Sequence, residues 1–439
     1  MDLYQHFSSV IGQYMSSEGR LVVALSGGVD SRVLLALAAR YQKECKKPCI
    51  AIHVHHGLSS NADHWAQQCR LWCIEEGVLF HLEKVRLEKQ GKSIEESARE
   101  ARYQALKSHL VFGDLLLTGQ HRDDQLETFL LALKRGSGPK GLSSMAQCTP
   151  YAGAKLVRPI LQASREEVES YAQRHNLTWV EDESNQDTRF DRNFLRHQVI
   201  PCLTERWPHL TKSVQRSAEL CAEQESLLDE LLSDHLEKSV HQDDSIDIAQ
   251  LAEMSSLVRA RVLRMWLNKQ QAKMPSRDLL DRVWFEVAMS RQDANPILSL
   301  AEGQIRRFNH RLYLVAQWQD LSHWQQEIEF DCELTLPESI GSITLLNTQS
   351  GTLSKAALSN SPLRIIFEPQ GLIAKPCGRR HSRKLKKLFQ EYHVPSWLRR
   401  RLPILMCGDK VVAVAGIFID ADFVGQDCEL VWDKFVPDM

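Results

Sequence analysis

The sequence predicts an α/β protein: a doubly wound parallel sheet, followed by a helical middle domain and a small α+β C-terminal domain. Three observations carry the prediction. Short apolar runs alternate with helix-length segments through the first half of the chain, the pattern of a parallel sheet with helices on its faces. Three strings rich in Gly, His and Asp (SGGVDS at 26–31, HVHHG at 53–57, TGQHRDD at 118–124) each close or follow such a run, where a doubly wound sheet presents its carboxyl ends to ligands. The alternation then stops, giving way to helices from about Pro208 and to short β-like runs from about Leu321. The domain boundaries read from these shifts are 1–208, 209–320 and 321–439.

Residues 1–20 read as a helix over the sheet edge. Leu21–Leu25 (LVVAL) is uniformly apolar, as a strand buried on both faces must be. SGGVDS follows, then VLLALAARYQ, long enough for a helix. Cys49–Val54 is a second strand that ends in His55-His56-Gly57. Asn61–Glu76 is helical, Val78–Val85 is a third strand, and Ser93–Val111 is a long helix carrying Glu95, Glu96, Arg99, Arg102 and Tyr103. Leu115–Thr118 is a fourth strand and Asp124–Leu133 a helix. Lys134–Met145 (KRGSGPKGLSSM) reads as a flexible basic loop, because its glycines and proline exclude regular structure. Ser164-Arg165-Glu166-Glu167 is a capping box that starts a helix. The polar, charged stretch Glu181–Arg196 precedes a short helix ending near Pro201.

Beyond it, residues 211–240 form a long helix, and further helices cover 256–271 and 276–289. Leu298–Leu300, Gln304–Phe308 and Leu312–Val315 suggest a small sheet. ITLLN and LRIIF mark strands of the last domain. The basic segment Lys375–Arg401 holds a helix with Leu385, Leu388 and Phe389 on its apolar face and Ser382 as its N-cap. VVAVAGIFID closes the chain as a buried hairpin or strand.

Charged residues make up 25% and hydrophobic residues 43%, ordinary for a soluble globular protein. The formal net charge of −2 offers no bulk attraction to nucleic acid, so an RNA partner would need local basic patches. The N-terminal stretch lacks the basic and apolar regions of a signal peptide, and no apolar stretch reaches membrane-span length. The expected location is the cytoplasm, with no membrane partner. Eleven cysteines without an export signal then read as reduced thiols. Cys45/Cys49 and Cys69/Cys73, each four apart, predict helical core packing, and no C-x-x-C occurs.

Strand, Gly-rich turn and helix in that order make a phosphate site. Gly27 and Gly28 let the backbone approach an oxyanion, Ser26 and Ser31 add hydroxyls, and the start of the helix presents free N–H groups and the positive end of its dipole. No Gly-Lys-Ser/Thr follows and no G-x-G-x-x-G is present, which excludes the Walker A loop and the dinucleotide fingerprint. A tight turn without a ligand is the ordinary alternative. The string SGG-x-DS resembles the PP-loop of the N-type ATP pyrophosphatases, which split ATP into AMP and pyrophosphate. The resemblance implies that Ser26, Gly27, Gly28, Val29, Asp30 and Ser31 hold the pyrophosphate portion of ATP, and that Asp30 supports the phosphates and a Mg²⁺ ion.

The string His121–Thr128 (HRDDQLET) puts three carboxylates at a helix start. Asp is the usual capping residue there. Beside an ATP loop, one of Asp123, Asp124 and Glu127 can cap while another binds Mg²⁺ or an ammonium group. The string resembles the second signature of the lysidine synthases, a branch of the PP-loop family. Arg99 and Arg102, one turn apart, are either a solvated face with Glu–Arg pairs or guanidiniums aimed at phosphate oxygens. Their A-R-x-x-R-Y pattern resembles the same branch and implies an arginine on ATP, Arg102 in preference to Arg99. Alternation along a strand sends neighbouring side chains among His53, His55 and His56 to opposite faces, and no cysteine or carboxylate is spaced to complete a zinc site. The family's H-V-x-H-G turn implies instead that His53 lines the nucleotide.

The pattern D-E-S-N…R-N-x-L-R within 181–196 is specific to lysidine synthases. It holds Asp182, Asn185, Asp187, Arg189, Arg192, Asn193 and Arg196. A solvated loop and helix cap is the plain account; Arg192 and Arg196, four apart with Asn193 beside them, also suit a clamp on an RNA backbone. In Lys375–Arg401 the cluster Arg379, Arg380, Arg383, Lys384, Lys386, Lys387, Arg399, Arg400 and Arg401 stands out against a near-neutral chain, and K-L-K-K-x-x-Q-E-x-x-V-P-x-W-L-R resembles the C-terminal domain of the longer lysidine synthases. Arg383, Lys384, Lys386 and Lys387 are its expected tRNA contacts.

The resemblance covers nearly the whole chain. It implies ATP and Mg²⁺ as cofactors, with a tRNA(Ile) bearing a CAU anticodon and free L-lysine as partners. The cytidine C2 oxygen would attack the α-phosphate of ATP, and the lysine ε-amine would then displace AMP. An amine of pKa ~10.4 must lose a proton before it attacks. The carboxylate that takes it, together with Asp30 in the catalytic set, is Asp123, Asp124 or Glu127. Two rival readings fit the residues less well. tRNA thiolation would call for sulfur-carrying cysteines, and a non-catalytic tRNA-binding protein sits poorly with intact SGGVDS and HRDDQLET strings. A homodimer stays open.

Overall fold

In the computed structural model, which describes residues 2–86, 94–273, 275–291 and 294–434, the chain forms two units, Met1–Leu228 and Asp229–Met439. The first contains, in chain order, α1 (Leu3–Tyr14), β1 (Leu21–Ala24), α2 (Val29–Cys45), β2 (Cys49–His55), α3 (Ala62–Glu76), β3 (Leu79–Lys84), α4 (Ile94–Lys107), β4 (Leu115–Leu117), α5 (Arg122–Lys134), α6 (Pro139–Leu142), β5 (Cys148–Tyr151), β6 (Ala154–Val157) and α7 (Arg165–Arg174). Ser93, the expected start of α4, lies outside the described residues.

The six strands form one sheet in the order β3-β2-β1-β4-β6-β5. β1 pairs in parallel with β2 on one side and with β4 on the other. The chain therefore builds outward from β1 to β3, reverses, and returns to β1's free edge with β4. That reversal places a crevice at the carboxyl ends of β1 and β4. Leu21, Val22 and Val23 are completely buried, each contributing ~1.5–3 kcal/mol of apolar burial. The pleat divides them. Leu21, Val23, Ala51, Leu115 and Leu117 pack with α1, α2, α3 and α7, and Val22, Ile50, Ile52 and Leu116 pack with Leu106 of α4 on the other face.

Four local readings need correction. The sheet is not wholly parallel: β5 runs antiparallel to β6, joined by Ala152 and Gly153, which both have positive φ. The basic loop after α5 contains the helical turn α6, started by Gly138 with Pro139 in its first turn, where a missing N–H costs nothing. The helix expected to end near Pro201 runs on to Arg206, in three continuous pieces, Asp191–Phe194, Leu195–Val199 and Ile200–Arg206. Pro201 has no N–H to give to the turn before it, and that turn is widened into a π turn. Cys69 and Cys73 do share the buried face of α3, but Cys45 ends α2 while Cys49 begins β2, so the latter pair is not helical.

Leu210–Ser239 is a single 30-residue helix, close to the expected 211–240. In the second unit, helices Ile248–Glu253, Ser256–Lys269 and Arg277–Arg282, the last continuing through Ala288, pack on a sheet of Ile246–Asp247, Arg311–Val315, Gln304–Phe308 and Ile297–Ser299 around Trp266, Leu263, Ile305 and Leu312. A five-stranded antiparallel sheet follows (Gln325–Glu327, Leu363–Ile366, Ile404–Cys407, Lys410–Val414, Phe418–Ile419), with Phe367, Ile365 and Leu405 at its core. Leu385, Leu388 and Phe389 are completely buried, as the helix pattern requires. That helix is Leu385–Glu391, and its N-cap is Lys384, not Ser382. Arg383–Lys384 pairs as a short strand with Ile373–Ala374, which delays the helix beyond the serine. Among the described residues no helix is long and apolar enough to cross a membrane.

Candidate active site

The turn from β1 into α2 and the turn from β4 into α5 meet in the crevice. Gly27 has φ of +101°, and a Cβ there would come within 2.7 Å of Val180, whose N–H donates to the Gly27 carbonyl. Gly28 is the N-cap of α2 and has no side chain to cover the first N–H groups, which leaves them to an anion. Ser31 braces the loop. Its hydroxyl accepts the Gly27 N–H at 3.0 Å and donates to the Gly28 carbonyl at 3.0 Å, with the Ser26 hydroxyl 3.1 Å away. Gly119, just after β4, presses on the same loop. A Cβ there would lie 3.0 Å from the Asp30 backbone carbon, so no larger residue fits without moving it.

His121 sits at the centre. It is buried, and it is the N-cap of α5, with its backbone N–H donated to Asp124 Oδ2 at 3.0 Å. Its Nε2 is 3.6 Å from Asp30 Oδ1 and 3.5 Å from Asp124 Oδ2, and its Nδ1 is 3.5 Å from Asp123 Oδ2. Burial alone would lower the imidazole pKa. The Asp123 hydrogen bond and the charges of Asp124 and Asp30 outweigh it, and the net shift is upward. Asp30 shifts upward, driven by burial and by Asp124 against the opposing pull of His121. Asp123 shifts downward, because contact with His121 and the Arg165 N–H overcomes its burial. Sequence reasoning includes His121 in its string but gives it no role. A buried polar residue at the join of a strand end and a helix start is the signal that could have found it.

The Glu127 carboxylate is almost fully buried and doubly clamped. Arg192 Nε donates to Oε2 at 2.8 Å; Arg196 Nε donates to Oε1 at 2.6 Å and Nη2 to Oε2 at 3.1 Å. Arg196 Nη2 also reaches Asp124 Oδ1 at 3.3 Å. The spacing of Arg192 and Arg196 suggested a clamp on RNA. In this structure their guanidiniums are turned inward onto the carboxylates of α5. Asn193 likewise turns inward, its amide donating to the Ser184 and Asp187 carbonyls.

His53 is buried, and its Nδ1 hydrogen-bonds the Leu25 carbonyl at 2.8 Å, bracing the entry to the loop in the neutral state that burial favours. Burial, with Arg102 nearby, holds His56 down to about 4. Arg99 stacks on Tyr103 with 5.0 Å to the ring centroid. Arg102 has no hydrogen-bond or ion-pair partner among the described residues, and its guanidinium lies among His53, His56 and Asp182.

Among the described residues no group of three or more His, Cys, Asp or Glu is placed to hold a metal ion unaided. Magnesium commonly takes one or two protein carboxylates and fills the rest of its shell with phosphate oxygens and water. Asp30 fits that use, since its buried Oδ1 has no hydrogen-bond partner, and Asp124 lies across His121 from it.

In the second unit, the expected RNA cations divide in two. Arg379 and Arg383 both bind Glu391, Arg399 donates to the Val394 carbonyl, Arg400 pairs with Glu368 and Arg401 stacks on Trp318. Lys384, Lys386 and Lys387 are exposed and, among the described residues, unpaired.

Family profiles described as PP-loop domain, TilS substrate binding domain and TilS substrate C-terminal domain match residues 3–203, 246–313 and 363–433. The tRNA(Ile)-lysidine synthase of Vibrio vulnificus (strain CMCP6) is 59% identical over 435 residues, covering 98% of this chain and 99% of that protein. The enzyme of the same name from Photobacterium profundum is 49% identical over 432 residues, with 98% and 99% covered. Among solved structures, the U34-tRNA thiolase NcsA from Methanococcus maripaludis with its [4Fe-4S] cluster superposes with a TM-score of 0.43 and 18% identity, covering 51% of this chain and 78% of that one. A phosphate-ready turn at the reversal of the sheet, an acid cluster beside it and relatives matching end to end lead to one assignment: the chain belongs to the tRNA(Ile)-lysidine synthase family.

Proposed function

We propose that this chain ligates free L-lysine to C2 of the wobble cytidine in a CAU-anticodon tRNA(Ile), using ATP and releasing AMP and pyrophosphate. The observation that carries the reading is the junction at the sheet reversal, where Gly119 closes on Asp30 and His121 joins Asp30, Asp123 and Asp124. The open N–H groups at the start of α2 and the unpaired Arg102 receive the phosphates, where negative charge grows as pyrophosphate departs. Asp30 would hold Mg²⁺, which would supply charge neutralisation on those phosphates. The cytidine C2 oxygen attacks the α-phosphorus and pyrophosphate leaves. The lysine ε-amine then attacks C2 and AMP leaves with the former cytidine oxygen.

Of the three candidate carboxylates, Asp123 and Asp124 are the two left to receive the lysine ammonium and remove its proton. Glu127 is saturated by two guanidiniums, whereas the contacts of Asp123 with His121 and the Arg165 N–H both fall on its Oδ2. Asp124 Oδ1 has only the longer 3.3 Å contact with Arg196. Arg192, Arg196 and Asn193 serve by holding the acid cluster and its neighbouring turn. Lys384, Lys386 and Lys387 give the C-terminal segment an unpaired basic face for tRNA, and the division 1–208, 209–320 and 321–439 assigns ATP chemistry to the first part and tRNA contacts to the other two.

The test is the mass of the tRNA product after incubation with ATP, Mg²⁺ and lysine, together with AMP release. A product heavier by one lysine less one water, with AMP formed only when tRNA and lysine are both present, is expected. AMP release without lysine transfer, or no mass change, overturns the reading.

A further inference from the structure

We propose that Phe190 and Phe194 form a stacking platform for unpaired bases of the RNA substrate at the outer rim of the active site, an inference that rests on the proposed function. The two rings are exposed, Phe190 by 39% and Phe194 by 42%. Phe190 is the extended N-cap of the helical piece Asp191–Phe194 and Phe194 its last residue, one turn on, with the Phe194 N–H donating to the Phe190 carbonyl at 2.9 Å. Residues two apart on a helix point in nearly opposite directions. Arg192 and Arg196 reach inward to Glu127, so Phe194, two residues from each, faces outward, and Phe190 is exposed at the entry to the helix. The acid cluster and the aromatic pair are thus separated by little more than the ~10 Å width of one helix.

The surroundings favour nucleic acid over a protein surface. Lys134 reaches this helix at Asp191, 2.7 Å away, and Arg135 and Lys140 follow it in the same exposed basic segment. The Arg189 side chain is 88% exposed. A protein-docking patch has an apolar centre with charge at its rim. Here two separate rings stand among charged residues, the combination that holds single-stranded nucleic acid by stacking and by phosphate attraction. Four residues of helix rise span about 6 Å, near twice the ~3.4 Å step of stacked bases, so the pair can hold one base between its rings. The chemistry asks for such a support. The reacting cytidine has to leave its stack to reach the α-phosphate, and its neighbours lose a stacking partner when it does.

The experiment compares the F190A/F194A, F190L/F194L and F190W/F194W double variants of the full chain with the parent in lysine transfer to tRNA, with ATP binding measured in parallel. The alanine pair should raise KM for tRNA by roughly 10- to 100-fold, the range expected for one or two lost stacks, and leave ATP affinity within about twofold. The leucine pair, apolar but without a π face, should show the same loss. The tryptophan pair should restore KM to within about threefold of the parent, with its fluorescence quenched on adding tRNA. An unchanged KM in the alanine pair, or a leucine pair as good as the parent, overturns the platform. If the alanine pair fails to fold, the leucine and tryptophan pairs decide by themselves. A parent that transfers no lysine overturns the functional reading and the platform with it; a parent that transfers lysine while the variants match it overturns the platform alone.

Discussion

Replacing Glu127 by Gln removes the charge around which the 191–206 helix is held. The carboxylate accepts three charge-assisted hydrogen bonds, each worth ~1.5–3 kcal/mol. The full sum is not lost, because the Arg192 and Arg196 side chains are 32% and 25% exposed and recover water when released. Breaking one partner of a buried pair costs ~3–5 kcal/mol. Solvent access to the guanidiniums and the hydrogen bonds that Gln keeps reduce this to about 2–3 kcal/mol. At ~2–4 °C per kcal/mol for a unit of this size, the Tm of the first unit should fall by roughly 5–10 °C. Differential scanning calorimetry of the full chain measures it, the relevant transition being the one that a non-hydrolysable ATP analogue raises. A cycle with Arg196→Ala should return a coupling of at least ~1 kcal/mol. A shift below about 1 °C with no coupling would refute the clamp and return Arg196 to the role its spacing first suggested.

Arg102→Ala should weaken ATP binding by about 10- to 100-fold, the loss of a charge-assisted phosphate contact, with Tm unchanged to within ~1 °C because the guanidinium has no partner to lose; a fall in Tm with unaltered ATP affinity, by calorimetry, would make the residue structural. His121 has a raised folded-state pKa, so its stabilisation is fully present below its unfolded value of 6.5 and is lost as pH rises through the folded value. The Tm advantage of the parent over His121→Gln should therefore be largest near pH ~6 and shrink at alkaline pH, and an advantage that grows with pH contradicts the imidazolium. Reversing Lys384, Lys386 and Lys387 to Glu should weaken tRNA binding and flatten its salt dependence by up to ~0.7–0.9 logarithmic units per phosphate contact removed, with ATP affinity unaffected. Filter binding at several salt concentrations reads both quantities, and an unchanged slope removes those lysines from the interface.

Much of the sheet could be read in advance because its signals are local. LVVAL is apolar at every position, and the three functional strings each lie at a strand's carboxyl end, where the order β3-β2-β1-β4 puts two of them on either side of the reversal. The β5–β6 hairpin has no such local signal, because CTPY carries a proline and a pattern that is neither alternating nor uniformly apolar. Ser382 looked like a cap because the preference is local, but pairing of Arg383–Lys384 with a strand ten residues earlier took precedence. The direction of Arg192 and Arg196 was beyond local reading. Their partner lies 65 and 69 residues away, and nothing in a spacing of four distinguishes a phosphate from a buried carboxylate. Similarly, five arginines of Lys375–Arg401 turned out to be held by the protein's own groups, which composition cannot reveal.

The neighbourhood of His121 has a consequence for admission to the site. Asp30, Asp123, Asp124 and Glu127 would by themselves give the crevice a strong negative potential, and the two macroanions it has to accept, a nucleoside triphosphate and a polynucleotide, would be repelled from it. His121, Arg192 and Arg196 are interleaved with those four carboxylates at contact distance. Their field is thereby cancelled close to its source. The groups in contact stay acidic while the long-range electrostatics stay nearly neutral, as the proposed reaction, with one ammonium and two polyanions to admit, requires.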